Sequence, residues 1–133
     1  MSVSLTCVGL LGLLLFGLGF LVSATRGQTG RTIGYSDDPT DRLHKAVRAH
    51  ANTAEYAPIL AVLFFVLGAR NPAGWVLVCI VFTTLARYLF AAGMLMSSSL
   101  AQPNPLRFVG AVGTYIGGIA LSVALLVDVL AGP

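Results

Sequence analysis

Charged residues are scarce in this chain. Only 10% of its 133 residues are charged and 56% are hydrophobic, whereas about a quarter of the residues of an average soluble domain are charged. Four stretches carry no charge at all: 2–25, 71–86, 88–106 and 108–127. A bilayer requires roughly 20 apolar residues for each spanning helix. This composition excludes a soluble protein and predicts an integral membrane protein, with the lipid bilayer as its partner.

The long apolar runs predict an all-α fold. We expect one four-helix transmembrane domain over residues 1–133, with the four helices at about 2–25, 39–69, 72–97 and 105–131. The run 2–25 has no Lys or Arg before it and is longer than the apolar region of a signal peptide, which argues against cleavage.

Cysteine and metal-binding patterns are also sparse. Cys7 and Cys79 lie inside apolar runs of different helices, as expected of packing residues. Walker, GxGxxG, HExxH and Cys/His metal spacings are missing from the sequence. His44 and His50 fall on different helix faces, so we predict no metal site. The basic residues are interspersed with acids and not with aromatics, so we expect no nucleic-acid partner either.

The few basic residues follow a membrane topology. Between the first and second helices lie Arg26, Arg31, Arg42, Lys45 and Arg48. Arg107 opens the fourth helix, whereas the connection between the second and third helices has only Arg70. Because basic loops stay in the cytoplasm, this distribution predicts that both termini lie outside it.

The second helix carries the polar residues of the chain. We predict that it starts with Asp38 as N-cap and Pro39 at its first position. At 100° per residue, one stripe of its surface holds the polar side chains of His44, Arg48, Asn52, Glu55 and Tyr56. Ionisable residues at membrane depth are by default a functional-site hypothesis. Pro58 follows the stripe and predicts a kink.

The turn Arg70-Asn71-Pro72 predicts an antiparallel hairpin of the second and third helices. Glu55 and Arg87 are each 16 residues from Asn71, so equal rise places them at one depth. We therefore predict an ion pair, with charged atoms closer than about 4 Å, which relieves the roughly 2.5 to 3.5 kcal/mol that each charge would cost alone.

The fourth helix begins with Asn104 as cap, Pro105 at its first position and Arg107 in its first turn. Arg107 is thus expected on the same membrane side as Arg48, where free helix N–H groups favour an anion. Gly113 and Gly117 form a GxxxG pattern that predicts close helix packing.

These residues resemble a known family. The pattern Arg-Ala-His-x-Asn-x-x-Glu-Tyr-x-Pro over 48–58, Arg87 in the third helix and Pro105-x-Arg107 in the fourth are similar to MAPEG proteins, the membrane-associated proteins in eicosanoid and glutathione metabolism. The resemblance covers nearly the whole chain. It implies a C3 homotrimer of four-helix subunits, with glutathione bound between subunits at the cytoplasmic side. The short loops indicate a bacterial-type member of an inner membrane.

The resemblance also implies roles for single residues. Arg48 and Asn52 match the glutathione-binding pair, Glu55 matches the acid beside the glutathione amine, and Tyr56 follows that acid as in several members. Arg87 matches the third-helix arginine. Arg107 matches the arginine that holds the thiol as thiolate, which makes it the catalytic candidate. His44, one turn before Arg48 on the stripe, is a further candidate for cofactor binding.

The implied activity is that of a glutathione transferase or peroxidase. A thiol with a pKa near 8.5 is only about 3% ionised at pH 7, and a neighbouring cation lowers such a pKa by about 1 to 3 units. The second substrate would be lipophilic, because it would arrive from the bilayer. A different low-molecular-weight thiol is an alternative cofactor.

Three residues depart from the family pattern. Phe90, Met94 and Phe108 stand where well-studied members carry Tyr, His or Ser, and Tyr88 or Tyr115 are the candidates to replace the lost hydroxyl groups. One alternative function is therefore a non-catalytic, lipid-binding or complex-associated membrane protein. Another is a small four-helix exporter that uses Glu55 as its proton or cation site.

Overall fold

The computed structural model of the chain describes residues 1–131, which form a bundle of four α-helices. The helices are α1 (Ser2–Thr29), α2 (Arg42–Ala69), α3 (Gly74–Met96) and α4 (Pro105–Leu130). All four are long and apolar enough to cross a membrane. The predicted fold class, an all-α integral membrane bundle, is confirmed.

The four helices run alternately up and down. At one end, which we call the hairpin end, Ser4 near the start of α1 packs on Gly68 near the end of α2, and residues 70–73 connect α2 to α3. At the other end, the loop end, the connections 30–41 and 97–104 meet. There the Leu100 N–H donates to the Pro39 carbonyl at 2.9 Å, and Lys45 Nζ donates to the Ser97 carbonyl at 3.1 Å. The loop 97–104 is therefore bonded both to the loop 30–41 and to the start of α2.

The start of α2 differs from the prediction. Asp41, not Asp38, is the N-cap, because its carboxylate accepts the His44 backbone N–H at 2.9 Å. Asp38 instead closes a turn ahead of the helix by accepting the Thr40 N–H at 2.8 Å and the Thr40 hydroxyl at 2.7 Å. Both aspartates can cap a backbone, and the sequence alone did not show which of them the helix uses. The resulting helix has 28 residues, or about 42 Å at 1.5 Å per residue.

Glycines bring α3 and α4 into close contact. A Cβ added at Gly110 would lie 2.5 Å from the Phe90 backbone nitrogen, and one added at Gly113 would lie 2.9 Å from the Ala86 Cβ. Gly117 packs in the same way on Thr83. The predicted packing role of the GxxxG pattern is confirmed, and it holds the start of α4 next to α3, where the cavity described below opens.

The core consists of two apolar clusters. The larger one lies in the half of the bundle toward the hairpin end and is built around Leu11, Phe64, Ile80 and Leu121. Cys7 belongs to this cluster and Cys79 packs against it, both as free thiols, which confirms their predicted packing role. The smaller cluster, toward the loop end, consists of Leu18, Ala49, Phe90, Ala91 and Met94.

Candidate functional site

A cavity of about 800 Å³ opens at the loop end, between α2, α3, the start of α4 and the loop 97–104. Its polar lining residues are His44, Arg48, Asn52, Asn104 and Arg107. The remaining lining residues are apolar: Phe90, Met94, Leu100, Pro103, Pro105, Phe108 and Ala111. Its volume is within the range of small-molecule sites, about 300 to 1,000 Å³. Four of the seven residues proposed from the sequence, namely His44, Arg48, Asn52 and Arg107, thus meet in one place.

Helix α2 supplies three of these residues from a single face. His44, Arg48 and Asn52 follow each other at intervals of four, which stacks them along one side of a helix. Arg48 is exposed, and its guanidinium has no hydrogen-bond partner within residues 1–131. Its charge is therefore available to a ligand.

His44 connects the cavity to the loop 30–41. Its Nδ1 lies 2.7 Å from the Ser36 carbonyl oxygen, and because a carbonyl can only accept, Nδ1–H is the donor of this hydrogen bond. The ring also meets Tyr35 edge-on, with 4.8 Å between ring centroids. This bond leaves Nε2 as the atom through which His44 would meet a ligand.

Arg107 is held at both its backbone and its side chain. Asn104 Oδ1 accepts the Arg107 N–H at 3.0 Å, as the predicted cap requires. The guanidinium donates to the carbonyls of Leu100 at 3.1 Å and Gln102 at 2.9 Å. A guanidinium has five N–H donors, so three remain free. The Asn104 cap also occupies one of the helix N–H groups that we expected to be open to an anion.

The electrostatics of the cavity favour an anionic ligand. Two guanidinium groups, Arg48 and Arg107, line it, and no carboxylate is among its lining residues. The N-terminus of α4, which carries a partial positive charge, also opens into it. Guanidinium groups bind carboxylates through paired, charge-assisted hydrogen bonds.

The predicted ion pair between Glu55 and Arg87 is wrong for the single chain. In residues 1–131 the salt bridges are Arg31–Asp41 and Arg70–Asp128. The Arg87 side chain is buried, with 1% of the residue exposed. Its Nη2 donates to Asn52 Oδ1 at 2.9 Å and to Thr53 Oγ1 at 3.3 Å.

Aromatic rings complete the surroundings of Arg87. Its guanidinium carbon lies 5.2 Å from the centroid of the Tyr56 ring and 5.1 Å from that of the Phe90 ring. Both distances are within the range of cation–π attraction. Arg87 thus lies behind the cavity wall, in contact with Asn52 and Phe90, which line it.

The direction in which Glu55 points from α2 explains why it does not pair with Arg87. The hairpin geometry sets the depth of Glu55 but not its direction. Leu60 marks the buried face of α2, and at 100° per residue Glu55 points about 140° away from it. Glu55 is accordingly exposed and lies outside the lining of the cavity.

Tyr56 faces a different space. It lines a groove of about 340 Å³ between α2 and α4 together with Tyr115, and its hydroxyl donates to the Tyr115 hydroxyl at 3.5 Å. The Tyr88 hydroxyl donates to the Leu10 carbonyl on α1 at 2.8 Å. Neither Tyr88 nor Tyr115 lines the 800 Å³ cavity, so in this structure they do not replace the hydroxyl groups lost at Phe90, Met94 and Phe108.

Sequence reasoning missed the loop 97–104 as part of the site. Leu100, Pro103 and Asn104 line the cavity. The Arg107 guanidinium holds this loop against the start of α4 through its bonds to the Leu100 and Gln102 carbonyls. The Asn104-Pro105 helix start was the available signal, since it places the end of the loop beside Arg107.

Comparison with known protein families agrees with this architecture. The family model described as "MAPEG family" matches residues 4–127, which include all of α2 and α3 and most of α1 and α4. No curated protein matches the chain.

Proposed function

This chain belongs to the MAPEG family, and on that premise we propose that it is a glutathione-dependent transferase or peroxidase acting on a lipophilic substrate. The observation that carries this proposal is the cavity in which Arg48, Arg107, Asn52 and His44 meet without a carboxylate. Its position at the ends of apolar helices gives it access to a soluble thiol at the loop end and to apolar molecules in the bilayer.

Arg48 is the residue that we assign to binding the anion. Glutathione is a small anion with a single ammonium group, and the unpaired guanidinium of Arg48 is suited to one of its carboxylates. Asn52 and His44 lie on the same face of α2, where their polar groups would bind the peptide part of glutathione. Asn52 Oδ1 already accepts from Arg87, so we assign its amide N–H groups to the ligand.

Arg107 is the residue that we assign to the thiolate. Its three free N–H donors would hold the sulfur as an anion and lower the pKa of the thiol. The thiolate then attacks an electrophilic carbon, forms a carbon–sulfur bond and displaces a leaving group with its electron pair. With a hydroperoxide the thiolate would attack the terminal oxygen, so that the O–O bond breaks and leaves a sulfenic acid and an alkoxide, which takes a proton. A second glutathione would then react with the sulfenic acid to give the disulfide and water.

We also propose that the chain is a homotrimer in a bacterial inner membrane, with both termini outside the cytoplasm. Glu55 supports the assembly, because it is exposed on α2 among the exposed apolar residues Ile59, Val62 and Phe65. A carboxylate facing lipid is costly, and contact with another subunit would relieve that cost. Native mass spectrometry tests this by comparing the assembly mass with the 13.9 kDa chain; a monomer at all detergent concentrations contradicts it.

A second candidate is a non-catalytic protein that binds a lipid in the same cavity. Phe90, Met94 and Phe108 line it, and Arg107 is engaged by two carbonyl groups. The exporter alternative has less support, since Glu55 lies on the outer surface of α2 and outside this cavity.

Isothermal titration of the purified protein with glutathione tests the leading proposal. We expect saturable binding that Arg48→Ala weakens and that Arg31→Ala leaves unchanged, because Arg31 pairs with Asp41 outside the cavity. Turnover of an apolar electrophile in liposomes then separates an enzyme from a binding protein. Absence of glutathione binding, together with saturable binding of a fluorescent fatty acid, would favour the non-catalytic candidate.

A further inference from the structure

Whereas the 800 Å³ cavity lies at the loop end, a second groove with polar residues in its lining lies at the hairpin end. It has a volume of about 400 Å³ and is bounded by the end of α2, the turn 70–73, the start of α3 and the end of α4. Arg70, Asp128 and Trp75 line its rim, and Val123 and Val127 line its wall on α4. We propose that this groove binds an aminophospholipid, with its phosphate on Arg70, its ammonium on Asp128 and one acyl chain along α4.

The two charged side chains of the groove, Arg70 and Asp128, share one hydrogen bond and keep further donors and acceptors free. Arg70 Nε donates to Asp128 Oδ2, and the two side chains remain 44% and 45% exposed. The Nη1 and Nη2 groups of Arg70 and the Oδ1 atom of Asp128 have no further partner among the residues that the structure describes. A guanidinium with four free N–H donors thus stands next to a carboxylate with a free acceptor.

This pair is complementary to a zwitterion. A phosphate is well matched to the free guanidinium edge, and a primary ammonium donates hydrogen bonds to the free carboxylate oxygen. A trimethylammonium headgroup has no N–H to donate, and a glycerol headgroup has no cation. The pair therefore favours ethanolamine-type headgroups over choline and glycerol types.

The surroundings of the pair are those of the membrane interface. Arg70 follows the last residue of α2, and Asp128 lies in the last turn of α4, where spanning helices reach the headgroup region. Trp75 is 54% exposed beside them, which is typical of interfacial aromatics. Val123 and Val127 are 51% and 60% exposed and continue from the ion pair toward the bilayer centre, along the path of an acyl chain.

Lipid titration monitored by native mass spectrometry tests the proposal. Delipidated protein is titrated separately with phosphatidylethanolamine, phosphatidylcholine and phosphatidylglycerol. We expect phosphatidylethanolamine to bind roughly 10-fold more tightly than the other two, as one charge-assisted hydrogen bond would provide. Asp128→Asn should remove its advantage over phosphatidylcholine, whereas Arg70→Gln should weaken the binding of all three lipids. Arg31→Gln, which breaks an exposed ion pair at the loop end, is the matched control and should change nothing.

A groove-filling variant keeps the test decisive if loss of the ion pair disturbs folding. Val127→Trp retains Arg70 and Asp128 but fills the wall, so it should abolish lipid retention. Equal binding of the three lipids by the wild type, a preference that survives Asp128→Asn, or unchanged retention in Val127→Trp would each overturn the proposal. Glutathione titration of the same variants should be unaffected, so failure here is distinguishable from failure of the proposed function.

Discussion

Arg87 on α3 donates a hydrogen bond from Nη2 to Asn52 Oδ1 on α2, at 2.9 Å. This bond joins a fully buried cation to a residue that lines the 800 Å³ cavity. Asn52 is thereby oriented with its oxygen toward Arg87 and its amide N–H groups free. We therefore propose Arg87 as a positioning residue for the site, a role that it would fill without Glu55.

The first prediction concerns this bond. Asn52→Leu should destabilise the fold by roughly 1 to 3 kcal/mol, because it leaves a buried N–H of Arg87 without its acceptor. Asn52→Asp should retain stability, since the acceptor remains. Thr53→Val should cost less than Asn52→Leu, because its bond to Arg87 is longer, at 3.3 Å. Thermal unfolding in detergent micelles measures each change. An equal loss in Glu55→Gln, with the oligomeric state preserved, would contradict the assignment of Asn52 as the main partner of Arg87.

The second prediction concerns the contact between α3 and α4. Gly110→Ala should destabilise by roughly 1 to 3 kcal/mol through overpacking, because the new Cβ would lie 2.5 Å from the Phe90 backbone nitrogen. Gly118→Ala is the matched control: its Cβ would lie 3.8 Å from Leu60 Cδ2, an ordinary contact. Alanine also has the better helix propensity, by about 1 kcal/mol. The control should therefore match or exceed wild-type stability in thermal unfolding, and similar losses in both variants would contradict this packing.

Much of this architecture could be predicted from the sequence because it follows from local rules. The apolar runs show where the helices are, and Asn104 caps α4 as its position before Pro105 indicates. Spacing at intervals of four residues places His44, Arg48 and Asn52 on one face. These inferences need only helix geometry and the requirement that a spanning segment be apolar.

Apart from the cap of α2, which is Asp41 and not Asp38, the failed predictions concern contacts between separate elements. The distance of Glu55 from the hairpin turn sets its depth, but the rotation of α2 sets its direction, and packing against α1 and α3 determines that rotation. The loop 97–104 illustrates the same limit, because backbone carbonyls are the acceptors of its bonds to Arg107. Any residue type could supply those acceptors, so the sequence does not identify them; the Asn104-Pro105 helix start indicates only that the loop ends beside Arg107.

The third prediction concerns the cap of α2. The pKa of Asp41 lies below its ordinary value, mainly because the His44 backbone N–H donates to its carboxylate. A depressed pKa in the folded state stabilises the fold above the unfolded pKa, about 3.9, and this contribution is lost as the pH falls through the folded value. Wild type should therefore lose stability relative to Asp41→Asn below about pH 4, since Asn caps without titrating. Unfolding midpoints at pH 6 and below pH 4 measure the difference, and a constant difference would contradict this role.

The last prediction separates the two arginines of the cavity. Arg48→Ala should weaken glutathione binding, whereas Arg107→Ala should retain much of the binding and lose the thiolate. Thiolate absorbance at about 240 nm, followed as glutathione is added, reports on both. Wild type should show the signal at neutral pH, Arg48→Ala should need more ligand, and Arg107→Ala should show the signal only at a pH about 1 to 3 units higher.

Arg107 also anchors the loop 97–104, so this experiment needs a variant that loosens the loop and keeps the cation. Lys45→Ala is suitable, because Lys45 Nζ donates to the Ser97 carbonyl at 3.1 Å and Lys45 does not line the cavity. We expect its thiolate signal to match that of the wild type. If Lys45→Ala and Arg107→Ala shift the signal equally, Arg107 acts through the loop and not on the sulfur. If wild type binds glutathione without any thiolate signal at neutral pH, the cavity binds the thiol without activating it. That result would favour the non-catalytic function over the enzymatic one.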